Sequence, residues 1–147
     1  MPNKLVDSVN VQVANFTVMY EKLHHFHWFV KGHHFFELHK KFEELYTEAS
    51  LHLDEIAERL LIKGDVPIST LKECLSLATI KEASGNEKTE NQMVQTTVND
   101  FSQMMEEIKE TISLAEEEDD AVTADMFTEI AESLGKHVWM LTAFLGK

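Results

Sequence analysis

The sequence predicts an all-α fold: a bundle of four long helices, with one long crossover between the second and third that carries a short extra helix. Three observations predict it. Glycine and proline number only five and two in 147 residues, so little interrupts the chain. Apolar residues recur with a period of about 3.6 over long stretches, the mark of amphipathic helices. Each such stretch runs about 25 residues, or about 38 Å at the helical rise of 1.5 Å. Length suits a single domain over 1–147, because a chain of about 150 residues closes one core. With 44% hydrophobic and 27% charged residues it is no disordered tail, and no run reaches the roughly 18 apolar residues a bilayer crossing needs.

Leu5, Val9, Val13, Phe16, Tyr20, Leu23 and Val30 form the apolar stripe of the first helix, and Gly32 is its expected stop. Leu38, Phe42, Leu45, Ala49, Leu53, Ile56 and Leu60 form that of the second, which ends at Gly64. The third starts near Thr89, whose spacing to Gln92 fits a capping box, and continues through Val94, Val98, Phe101, Met105, Ile108, Ile112 and Ala115. The fourth begins at about Thr123 and carries Phe127, Ile130, Leu134, Val138, Leu141 and Leu145. Short loops near 32–35 and 117–122, the second holding the acidic run Glu116 to Asp120, imply two antiparallel hairpins. Residues 64–88 are different. They contain Pro67, Gly85 and Asn86, plus a capped turn of helix with Thr70, Glu73, Leu71, Cys74, Leu75 and Leu77, long enough to travel the height of the bundle. One long crossover is the ferritin-like connection rather than the simple up-down one.

Charge and cysteine content exclude several functions. Twenty-six acidic against thirteen basic residues leave a net charge of -13, which repels a phosphate backbone and attracts small cations. The single Cys74 rules out an internal disulfide and an all-cysteine zinc site within one chain. The start, Met1 to Asp7, has neither the basic nor the apolar region of an export signal, so the expected location is cytoplasmic.

Six of the eight histidines fall between His24 and His39. Histidines on a hairpin surface are usually just solvated, so position must discriminate. His27 lies on the first apolar stripe, four beyond Leu23 and three before Val30, and a buried imidazole needs partners. On the second helix His39, Glu43, Asp54 and Glu58 project at about 0°, 40°, 60° and 100° around the axis. One reading is a solvated charged face. The other is metal ligation, and axial distance shapes it. His39 and Asp54 lie about 22 Å apart along the axis, too far for one ion. His27 and His39 flank the turn at one level with Glu43 a turn further on, while Asp54 and Glu58 form a second half-site at the far end. Two second helices packed antiparallel about a two-fold axis would join the two ends into equivalent sites between subunits. Mixed imidazole and carboxylate ligands suit iron, zinc or manganese. A di-iron centre inside one bundle is not matched, since Glu21-Lys-Leu-His24 is the only Glu-x-x-His in the first hairpin and the third helix has no histidine. Trp28 adjoins His27 as a candidate electron donor; the alternative is a large core residue, the reading given also to Trp139 and His137. Met104 and Met105 read as core filler.

These residues carry a resemblance. The stretch Leu23-His-His-Phe-His-Trp-Phe-Val-Lys-Gly32, with Phe35-Phe-Glu-Leu-His39, Phe42-Glu-Glu-Leu-Tyr46 and Asp54-Glu-Ile-Ala-Glu-Arg59, resembles the Dps family of mini-ferritins. Lys136-His-Val-Trp-Met140 and the capped crossover helix extend the likeness over nearly the whole chain. The resemblance implies a di-iron ferroxidase centre shared between two-fold-related subunits, with His27, His39, Asp54 and Glu58 as iron ligands. Glu43 stands where the family usually has aspartate, so it ligates directly or through a water. The likeness further implies a hollow dodecamer that oxidises Fe(II), preferentially with hydrogen peroxide, stores the ferric mineral inside and protects against oxidative stress. Zinc is the other ion this ligand set admits. An acidic three-fold pore near the start of the last helix takes Glu116, Asp120, Asp125 and Glu129 as candidates, although acids there also serve the helix dipole. DNA binding is not carried over, because Lys4 is the only cation before Lys22 and the chain has no lysine-rich tail. The contrasting function is a non-catalytic helical assembly protein with a structural zinc site.

Overall fold

The computed structural model describes residues 3–147; Met1 and Pro2, the start of the N-terminal stretch read above, lie outside the described residues. The order is α1 (Lys4–Phe29), α2 (Phe35–Ile62), α3 (Leu71–Leu77), α4 (Glu90–Glu117) and α5 (Ala121–Phe144). The fold is the expected all-α bundle of four long helices, with the extra helix α3 in the crossover. α1 packs on α2 and α4 on α5 as two hairpins, and α1 also meets α3 and α4. No helix among the described residues is long and apolar enough to cross a membrane.

Local chemistry explains most of the helix ends. Asn3 accepts a hydrogen bond from the Val6 amide at 3.1 Å and starts α1. Both capping boxes form: Thr70 with Glu73 at α3 and Thr89 with Gln92 at α4. At Gly64 (φ +86°) the chain leaves α2 with the Asp65 amide bonded to the Leu60 carbonyl at 2.8 Å, a glycine-terminated stop. Three boundaries differ from expectation. α1 ends at Phe29, because Val30 turns extended (φ −61°, ψ 138°); Gly32 is therefore no helix cap but part of the turn beyond. α4 runs to Glu117, so Glu116 is helical rather than in a loop. α5 starts two residues before Thr123, because Asp120 caps it by accepting from the Thr123 amide at 3.1 Å.

Phe16, Phe26, Phe42 and Phe127 fill the centre with Leu, Ile and Met from all four long helices. Tyr20 lies at the surface, off the predicted stripe. The crossover is stitched down by polar side chains of α1. Asn10 donates to the Val66 carbonyl and accepts from the Ile68 amide. Asn15 accepts from the Thr79 and Ile80 amides. Lys22 donates to the Lys81 carbonyl at 2.7 Å and pairs with Asp100 of α4 at 2.6 Å. Burial pushes the Asp100 carboxyl up, against the pull of Lys22. Removing one partner of a buried pair strands the other charge. Lys22→Ala is therefore expected to cost about 3 kcal/mol of stability, read as a lowered urea midpoint; an unchanged midpoint would show that the pair does not hold the crossover.

Candidate metal centre

His27 and His39 face each other across the α1–α2 hairpin and lock each other's rings. The Nδ1–H of His27 donates to the His39 carbonyl at 2.6 Å, and the Nδ1–H of His39 donates to the His27 carbonyl at 2.7 Å. The rings stack with centroids 3.7 Å apart and planes 14° from parallel. A neutral imidazole that spends its proton on Nδ1 leaves Nε2 as a bare lone pair. Metal-ligating histidines are held in this same way, with the second nitrogen bonded to a carbonyl. Glu43, one turn past His39, brings its Oε1 to 4.0 Å from His27 Nε2. His27 is only 7% exposed, so two imidazoles and a carboxylate converge beside a packed wall.

The aromatic surroundings fix this cluster. Phe35 stacks on His39 at 5.0 Å, and Tyr46 sets its edge to His27 at 5.4 Å and 82°. Burial and then the Glu43 carboxylate raise the Tyr46 phenol above its ordinary value. In the sequence Tyr46 figured only within the Phe42–Tyr46 stretch, with no role of its own, yet it lies seven residues, two turns, beyond His39 on the same face of α2. Trp28 is 59% exposed and Trp139 68% exposed, which overturns the core reading of both. Trp28 meets the site indirectly: its ring lies 5.3 Å from His24, and His24 stacks on Tyr46 at 3.6 Å.

Asp54 and Glu58 lie exposed at the far end of α2. Asp54 borders a cleft of about 500 Å³ with Val13, Ser50, Ile68, Leu71 and Cys74. The protomer therefore separates the five candidate ligands into two groups, His27, His39 and Glu43 at one end and Asp54 and Glu58 at the other. Among the described residues no three His, Cys, Asp or Glu side chains are disposed to hold a metal ion within one chain.

His52 and His137 serve a different network. Glu48 accepts from His137 Nε2 at 3.1 Å, His52 Nε2 at 3.2 Å and Ser133 at 2.8 Å. Burial raises Glu48, but these hydrogen bonds outweigh it and hold the carboxyl well below its usual range. Lys41 Nζ donates to His137 Nδ1 at 3.2 Å. His137 is buried, as its core reading anticipated. The four-residue spacing of Glu48 and His52 was the signal for this network.

Of the four pore candidates, Asp120 is spent inside the protomer. Its carboxylate accepts from Arg59 at 2.9 Å and from Thr123 Oγ1 at 2.6 Å, and pairs with Lys63 at 2.6 Å. Burial raises its pKa, but these contacts prevail and hold it well below its usual 3.8. Glu116, Asp125 and Glu129 are exposed.

The ferritin-like domain family matches residues 6–147. The chain is 52% identical over 146 residues to general stress protein 20U of Bacillus subtilis, covering 99% of this chain and 100% of that one. The crystal structure of a Dps protein from Bacillus brevis matches at a TM-score of 0.94 and 52% identity, covering 96% of this chain and 94% of that one. The chain belongs to the Dps family of ferritin-like proteins. A Listeria innocua Dps structure soaked with zinc also matches at a TM-score of 0.94 and 43% identity, covering 98% and 97% of the two chains. The Dps family stores iron and protects against oxidative stress, and its members are in general ferroxidases.

Two measurements check this site. Nitrogen-15 NMR at pH 8 should show His27 and His39 as Nδ1–H tautomers; an Nε2–H form at either would remove the free donor. Asp120 titrates below its unfolded value, so its charge contributes stability in full above about pH 4 and loses it as the pH falls toward the folded value. Asp120→Asn should lower Tm at pH 7 by about 2–4 °C and by progressively less below pH 4. An equal loss at every pH would contradict the ion-pair account.

Proposed function

We propose that this protein is a cytoplasmic ferroxidase and iron store that oxidises Fe(II), preferentially with hydrogen peroxide, at di-iron sites between two-fold-related subunits of a hollow dodecamer. The observation that carries this reading is the pair of bare Nε2 donors at one end of α2 and the two exposed carboxylates at the other. Each is half of a coordination sphere. An ion bound through oxygen and nitrogen needs three or more ligands at about 2.0–2.6 Å, and packing two α2 helices antiparallel supplies them. In this reading His27 and His39 position Fe(II), the substrate. The Asp54 and Glu58 end of a neighbouring protomer neutralises it, and Glu43 adds a carboxylate directly or through water.

The redox step balances as two Fe(II), one hydrogen peroxide and two protons giving two Fe(III) and two waters. Both electrons arrive together, so no hydroxyl radical is released. That is the protective function. Trp28, through His24 and Tyr46, is the proposed reserve electron donor. Asp125 and Glu129, with Glu116, are the proposed pore acids that draw Fe(II) inward, and Asp120 braces the start of α5 behind them. DNA binding forms no part of this function, given a charge of -13 per subunit. Zinc is the proposed competitor for the same ligands.

Stopped-flow oxidation with peroxide and with air, run on wild type and on the Asp54→Ala/Glu58→Ala double variant, tests this reading. Wild type should oxidise two Fe(II) per subunit faster with peroxide, and the variant should lose tight iron binding and this fast phase. Unchanged kinetics in the variant would refute the site. Zinc binding without any peroxide consumption by iron would favour the structural-zinc alternative.

A further inference from the structure

We infer that Glu90, on the opposite hairpin, is a positioning residue for the metal centre: it clamps the α1–α2 turn and so sets the register in which His27 and His39 lock each other. The inference rests on the reading of these two histidines as ligands. Their locking demands accurate register, because both Nδ1–carbonyl bonds, at 2.6 and 2.7 Å, connect the same two residues from opposite helices. A slide of α1 along α2 would displace donor and acceptor of both bonds at once, because each helix contributes one of each.

The turn has few internal means of preventing such a slide. Its own backbone bonds are Val30 to Phe26 at 3.0 Å, Phe35 to Gly32 at 3.2 Å and, at the start of α2, Leu38 to His34 at 2.9 Å. His34, the N-cap of α2, makes no side-chain cap. Glu90 supplies the anchor instead. Its Oε2 accepts the His34 amide at 2.7 Å, and its Oε1 lies 3.2 Å from His34 Nδ1. The carboxylate sits so close over Gly32 (φ +140°) that a Cβ there would lie 2.6 Å from Glu90 Cδ. Only glycine suits that position, on grounds both of space and of backbone. Phe144 of α5 sets its ring edge-on against His34 at 5.2 Å.

Glu90 is itself well anchored. It is the first residue of α4, next to Thr89 in an intact capping box, where the helix dipole favours its charge. Its side chain is only 13% exposed. One carboxylate therefore ties the turn beside both candidate ligands to a rigid helix end.

Co(II) binding to the assembled protein, followed by calorimetry and by visible absorption, tests this role. Glu90→Ala should weaken Co(II) binding about tenfold, as loss of an outer-shell partner does, and should remove the hydrogen-bonded Nδ1–H signals of His27 and His39. Glu90→Gln keeps an oxygen for the His34 amide and should bind within about twofold of wild type. Gly32→Ala, which forces Glu90 aside, is the second variant and should behave like Glu90→Ala. A variant that loses thermal stability yet binds Co(II) as wild type would overturn the inference. His39→Ala separates the two levels: if it too binds as wild type, the ligand reading itself fails; if it loses binding while Glu90→Ala and Gly32→Ala do not, only the role of Glu90 falls.

Discussion

The candidate metal centre depends on one reciprocal interaction: two imidazoles on adjacent antiparallel helices, each bonded through Nδ1–H to the backbone carbonyl beside the other ring. It does three things with two hydrogen bonds. It satisfies buried polar groups at the end of the hairpin, it fixes both tautomers, and it presents both Nε2 lone pairs. The stacked rings at 3.7 Å leave these donors little freedom, so the proposed ligation would require little further ordering. The surrounding fold serves to hold two helices in register at that point.

The rest of the bundle works toward this end at different distances. The aromatic core fixes the spacing of the hairpins. Asn10, Asn15 and Lys22 tie down the crossover, and Arg59 and Lys63 join the end of α2 to the start of α5 through Asp120. The separation of the two half-sites follows from helix geometry alone: fifteen residues of α2 are about 22 Å, which no side chain spans. Leu51, Leu71 and Leu75 remain exposed in one protomer, an arrangement that suits burial against another chain.

Much of this was legible in the sequence because it is local. Thr70 with Glu73 and Thr89 with Gln92 are three-residue signals for helix starts, and both formed. The apolar stripes ordered the helices, and the equal distances of His27 and His39 from the turn put them at one level. What escaped depends on contacts distant along the chain. Gly32 read as a helix stop, but the residue that requires glycine there is Glu90, which no local pattern connects to it. Trp28 read as core or as a direct neighbour of His27; its exposed ring lies against His24, which stacks on Tyr46. Asp120 read as a pore acid, yet its partners Arg59 and Lys63 come from another hairpin. The proposed placement of Asp54 and Glu58 against a facing subunit concerns a second chain, which no pattern within one chain describes.

Subunit mixing tests the central claim most directly. One variant carries His27→Ala and His39→Ala, the other Asp54→Ala and Glu58→Ala, and each alone should be inactive. If sites are shared about a two-fold axis, a mixed dimer contains one intact site and one doubly broken site, so random co-assembly should restore about a quarter of the wild-type ferroxidase sites. Mixtures that stay as inactive as the separate variants would contradict the account.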